Sequence, residues 1–255
     1  MPLALALGLF SPAGAQAPGP AAGPGSPEVV ATGIPRPAQV VVDGRSLVVL
    51  GPGVRGDAAG ELYRVDLDGP LPVDLGMQAY RRLAFSDGRT ATLGSLALDP
   101  ATRRLFLGEE NGTRLYRVEP DGRLVRYAIG LHRVPAGGAL AFDAQGRLLV
   151  LDFVDRTLAP GEDTGPGGLE PLREEDYRGP LLFRLTLDPT LALPRQLDRL
   201  VPIFPRPWGS RTLGYMGHFV AVAPFASGDI ALLEPTGALL RLLADGGTKI
   251  GRAHV

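Results

Sequence analysis

The sequence predicts an all-β chain built as a propeller of four-stranded antiparallel blades. Three observations lead there: a four-fold internal repeat, short apolar runs punctuated by Gly and Pro, and no long apolar face of helical period. Across 255 residues, 35 Gly and 25 Pro interrupt a chain that is 45% hydrophobic, ample for a core. That pattern suits many short strands joined by tight turns.

The first repeat runs through Gln39 to Val42, a turn at Asp43-Gly44-Arg45, Leu47 to Leu50, and then Leu62-Tyr63-Arg64-Val65. The second has Ser95 to Leu98, Asp99-Pro100, Leu105 to Leu107, and Leu115-Tyr116-Arg117-Val118. The third has Ala139 to Phe142, Asp143 to Gly146, Leu148 to Leu151, and Leu182-Phe183-Arg184-Leu185. The fourth has Phe219 to Ala223, Ser227-Gly228, Ile230 to Leu233, and Leu239-Leu240-Arg241-Leu242. Each unit is a strand pair around a turn plus a third strand, and Leu124 to Ile129 offers a fourth, outer one. Gly accepts the positive φ such turns need, while Asp and Pro preset the turn backbone. The recurring Arg sits between apolar neighbours, so its stem should pack and its head reach water.

The repeats divide the chain. Residues 1–15 read as a signal peptide, with an apolar run from Leu3 to Phe10 and a small-x-small site at Ala13-Gly14-Ala15. Residues 16–27 form a flexible Pro/Gly/Ala linker, and 28–248 an incomplete propeller of about four to five blades. Residues 249–255 contain Ile250-Gly251-Arg252-Ala253-His254-Val255, which resembles a translated sequencing adapter. Lys249, just before it, is the only lysine among 26 basic residues. The expectation is therefore a periplasmic or secreted protein, truncated at its C-terminus, without a transmembrane segment. A net charge of −1 gives no basic surplus for nucleic acid. The absence of Cys excludes disulfides and thiolate chemistry.

Two long interruptions stand out. Residues 153–180 carry Glu162, Asp163, Glu170, Glu174, Glu175 and Asp176 between the second and third strands of the third unit. A Pro-rich stretch, 188–217, precedes the fourth and contains Trp208, the only tryptophan. Long connections in a repeat fold are frequent carriers of function.

Val134 to Asp152 (VPAGGALAFDAQGRLLVLD) resembles an NHL-type blade. The resemblance extends over residues 28–248 and points to the six-bladed propeller superfamily. That superfamily includes gluconolactonase-like calcium enzymes, glucose/sorbosone dehydrogenase-like quinoproteins and non-catalytic NHL modules. It implies six blades in the complete protein. The gluconolactonase metal positions would fall on Arg36-Pro37-Ala38-Gln39, Leu93-Gly94-Ser95 and Ala136-Gly137-Gly138, which lack the expected Glu and Asn. The quinoprotein pattern places a His before a Gly-Gly. Here His132 precedes Gly137-Gly138 with four residues between.

In this architecture ligands meet the loops that enter the inner strands and those joining second strands to third. These loops hold His132, Glu109, Glu110, Asn111, Asp152, Asp155, Arg211, Tyr215, His218 and Glu234. No nucleophile elbow, P-loop, dinucleotide fingerprint or zinc-protease motif is present. Two readings stay open. One is a propeller binding a small molecule or protein ligand at its channel mouth. The other is an oxidoreductase resembling quinoprotein sugar dehydrogenases, with His132 as base and pyrroloquinoline quinone plus calcium as cofactors.

Overall fold

The structure is a computed structural model, and it describes residues 28–52, 60–76, 78–154, 179–197, 200, 202–204, 219–244 and 248–252. Among these, eighteen strands follow one another, and no helix is long and apolar enough to cross a membrane.

The first unit begins after β1 (Ala31–Thr32) and comprises β2 (Gln39–Asp43), β3 (Ser46–Gly51) and β4 (Gly60–Asp66). The short β5 (Val73–Asp74) pairs parallel with β1. Beyond it, β6 (Arg81–Phe85) closes the outer edge against β4, Gly60 opposite Leu83. The second unit is β7 (Leu93–Leu98), β8 (Leu105–Glu109), β9 (Leu115–Val118) and β10 (Arg123–Ile129), so the outer strand expected near Leu124 is present. The third unit has β11 (Leu140–Phe142), β12 (Leu148–Val154) and β13 (Gly179–Leu185), followed by β14 (Arg195–Gln196). The fourth is β15 (Ala221–Pro224), β16 (Ile230–Leu233), β17 (Ala238–Leu242) and β18 (Thr248–Arg252).

Neighbouring strands within each unit pair antiparallel in chain order. The first strands of the four units lie side by side, β2 against β7, β7 against β11, and β11 against β15. That order of inner strands is the arc of a β-propeller. Outer strands are less regular than the repeats suggest. β10 takes β6 of the first unit as a parallel partner, and β14 also joins β10 in parallel, so it does not close the third unit. The Leu182–Phe204 bridge supplies the third unit's outer pairing instead.

Middle strands are buried on both faces, and the period of two sorts their side chains between neighbouring units. On β8, Leu105 and Leu107 join the cluster shared with the first unit, with Leu50, Leu62 and Leu83. Phe106, between them, faces the third unit with Leu140, Leu149 and Phe183. Each fully buried leucine or phenylalanine contributes about 1.5–3 kcal/mol.

The repeat's turn aspartates are buried too: Asp43, Asp99, Asp143 and Asp229. Three of them meet the recurring arginine of the third strand. Arg64 Nη2 donates to Asp43 at 2.7 Å, Arg184 Nε lies 3.5 Å from Asp143, and Arg241 Nε donates to Asp229 at 2.9 Å. In the second unit Asp99 turns to Thr102, and Arg117 pairs with Glu119. The arginine heads are thus committed to carboxylates of their own blade rather than simply solvated.

Candidate functional site

The connection from β10 to β11, residues 130–139, crosses the end of the sheets where inner strands begin. Backbone bonds lace it on both sides. Val134 N donates to Gly112 O (2.9 Å), Asn111 N to Val134 O (2.9 Å), and Phe153 N to Arg133 O (3.0 Å). Its Gly-Gly pair has a structural reason. Gly137 has φ 90°, which favours glycine. A Cβ on Gly138 would lie 2.7 Å from Ala221 Cβ, where the third and fourth units touch.

Asp152 anchors this connection from the far end of β12. Its carboxylate is buried, with 1% of the residue exposed. It accepts His132 N (2.9 and 3.1 Å) and Arg133 N (2.7 Å), and it lies 2.8 Å from His132 Nδ1. An ionised carboxylate only accepts, so Nδ1 carries a proton, and in the neutral ring Nε2 is the acceptor. Among the described residues Nε2 has no hydrogen-bond partner, and the imidazole is 19% exposed. Such a ring, oriented from behind by a carboxylate, can accept a proton or a hydrogen bond from a ligand.

The remaining candidates separate. Glu109 is buried and consumed within its own hairpin. It accepts Tyr116 OH (3.1 Å), Arg114 Nη1 (3.2 Å) and Thr113 N (3.2 Å). Burial first, then the Glu109 charge, pushes the Tyr116 phenol well above its ordinary range. Asn111, with φ 55°, accepts Arg133 Nε at 2.8 Å beside His132. Glu234 caps the β16–β17 turn, where it accepts Thr236 OH at 3.0 Å. Asp155, Arg211, Tyr215 and His218 lie outside the described residues, as do Trp208 and most of the 153–180 and 188–217 interruptions.

Glu110 lines a cavity of about 240 Å³ at the inner-strand entry, together with Arg36, Ala38, Gly94, Ala136 and Gly137. Arg36, Gly94 and Ala136 come from three units and fall in the three segments where the gluconolactonase resemblance expects metal-binding residues, so the cavity gathers those segments without their Glu and Asn. A hydrogen bond from Leu96 N to Gln39 Oε1 (2.6 Å) ties the first two inner strands together just behind this cavity. Among the described residues, no three His, Asp or Glu side chains gather to hold a metal ion. The described carboxylates therefore do not fit the calcium that a quinone cofactor would bring.

These features define the class: a β-propeller with a polar mouth at the entry to its inner strands. No protein-family profile matches the chain, and no curated protein does. Among solved structures it is similar to the β-propeller domain of Cps50 (Swd1) from Myceliophteria thermophila. That pair shares 17% identity with a TM-score of 0.45, over 86% of this chain and 56% of that one. It is also similar to a streptogramin B lyase (10% identity, TM-score 0.37, 85% of this chain and 68% of that one). Virginiamycin B lyase from Staphylococcus aureus gives 13% identity and a TM-score of 0.33, over 86% of this chain and 85% of that one. The chain spans just over half the length of the Swd1 domain. The propeller follows from the order of the inner strands, independently of these likenesses.

Proposed function

We propose that this chain is an exported propeller that binds a small polar ligand at the inner-strand mouth, with His132 as the group that meets it. One observation carries the reading: His132 is fixed through Nδ1 by the buried Asp152 while Nε2 is left without a partner among the described residues. A cavity lined further along the same β10–β11 connection, at Ala136 and Gly137, supports it, with Arg36 and Glu110 as its charged groups. The apolar run and small-x-small site at residues 1–15 support export to the periplasm or medium.

The chain has three histidines, so its imidazole spectrum is simple. In a nitrogen-edited NMR titration with pooled amino acids, polyols and carboxylic acids, the His132 Nε2 resonance, assigned with His132→Asn, should move on binding. A resonance that no pool displaces removes the proposal.

The same His–Asp pair also favours a second reading, an oxidoreductase resembling quinoprotein sugar dehydrogenases, because an oriented imidazole suits a general base. Titration with pyrroloquinoline quinone and calcium separates the two. Sugar-dependent dye reduction that disappears in His132→Ala supports the dehydrogenase, and absence of quinone binding eliminates it.

A further inference from the structure

We infer that the ligand of the mouth is a small zwitterion, its carboxylate received by Arg36 and its ammonium by Glu110; this rests on the ligand-binding reading above. Both side chains line the same cavity of about 240 Å³. They come from different units, Arg36 from the entry to β2 and Glu110 from the β8–β9 turn. Neither side chain has a hydrogen bond or ion pair to any described residue, and they do not pair with each other. This contrasts with the surroundings, where Glu109, Arg114, Arg133, Asn111 and Asp152 are all engaged.

Two opposite charges, held apart in one concave site, select by sign. A dianion meets Glu110 and a dication meets Arg36, each unfavourably, while a molecule carrying both charges satisfies both walls. The rest of the lining is uncharged and compact: Pro37, Ala38, Pro52, Gly94, Ala136 and Gly137. A Cβ on Gly94 would stand 3.0 Å from Glu110 Cβ and 3.3 Å from Ala136 Cα, so glycine there lets the two walls approach. The volume is below the usual span of pockets for drug-sized ligands, about 300–1,000 Å³, which points to something amino-acid-sized.

Backbone conformation supports Arg36 independently. It lies between Pro35 and Pro37 with φ 44°, a region a non-glycine residue occupies only when its surroundings demand it. The prolines restrict the neighbouring backbone and so hold the arginine at the rim.

The test uses isothermal calorimetry on the whole chain with free L-amino acids as probes, and for any binder its N-acetylated and amidated forms. We expect at least one free amino acid to bind and both blocked forms to bind at least tenfold more weakly. Arg36→Gln should erase the preference for the free carboxylate, and Glu110→Gln that for the free amine. Blocked forms that bind as well as the free one overturn the inference, and this readout needs no variant to fold. Amino acids that fail to bind while another pool still moves the His132 resonance also overturn it, leaving the ligand-binding reading intact. If nothing binds or moves that resonance, both readings fall together.

Discussion

Asp143, in the turn between β11 and β12, reaches Arg184 of β13 at 3.5 Å, and the same aspartate–arginine pairing recurs as Asp43–Arg64 and Asp229–Arg241. Each pair ties the inner hairpin of a blade to its third strand. Asp143 also accepts the backbone N–H of Gln145 and of Arg147, so one carboxylate shapes the turn and clips it to the sheet.

The clip has a pH signature. At Asp229, the hydrogen bond from Arg241, and then that from Ala244 N, hold the carboxyl below its ordinary value of 3.8. A group depressed in this way contributes stability that is present above the unfolded value and lost as pH falls through the folded one. Chemical denaturation between pH 6 and pH 2 should show the midpoint falling below about pH 4. Asp229→Asn should flatten part of that fall. An unchanged acid limb in the variant contradicts the assignment.

Asp152 and His132 are unequal partners. Asp152→Ala leaves two backbone N–H groups and an imidazole without their acceptor, and should cost about 2–4 kcal/mol in denaturant unfolding. His132→Ala removes one partly exposed ring and should cost about 1 kcal/mol or less. Equal costs would mean that the histidine, not the carboxylate, holds the loop.

Gly138→Ala probes the joint between the third and fourth units. The added methyl would sit 2.7 Å from Ala221 Cβ and 3.1 Å from its Cα. Because the parallel Gly138–Ala221 bridge fixes that approach, overpacking should cost about 1–3 kcal/mol. Pairing it with Ala221→Gly should recover part of the loss. No recovery would place the damage elsewhere.

Two tyrosines should resist ionisation. Burial, followed by the hydrogen bond to Glu61, drives the Tyr63 phenol far up, and burial together with the Glu109 charge does the same for Tyr116. A phenol raised on folding favours the native state below its unfolded value, about pH 10, and destabilises it as pH rises further. In a spectrophotometric alkaline titration, at least two of the six tyrosines should ionise only together with unfolding, and Tyr127, also raised by burial, should titrate late. Six phenols titrating before the far-ultraviolet signal changes would refute this.

The blades were legible because their code is local. Alternating runs such as Leu105-Phe106-Leu107 need only the period of two to sort side chains between faces, and Asp or Gly at each turn specifies its own backbone. Of the mouth, the loops carrying His132, Asp152 and Glu110 could be read from their position between strands. Their partnerships could not. Asp152 follows His132 by twenty residues, and only the return of β12 past the β10–β11 connection closes that gap to 2.8 Å. Arg36 was visible only as a departure from the gluconolactonase metal pattern, and it joins Glu110 because β2 and β7 lie side by side. The parallel β6–β10 pairing was equally hidden, since which outer edges meet depends on the packing of whole units. Sequence alone thus determined strands, turns and repeat, each set by residues a few positions apart. Tertiary structure decided which charges became engaged and which two remain open, because electrostatic pairing depends on distances that the chain closes only on folding.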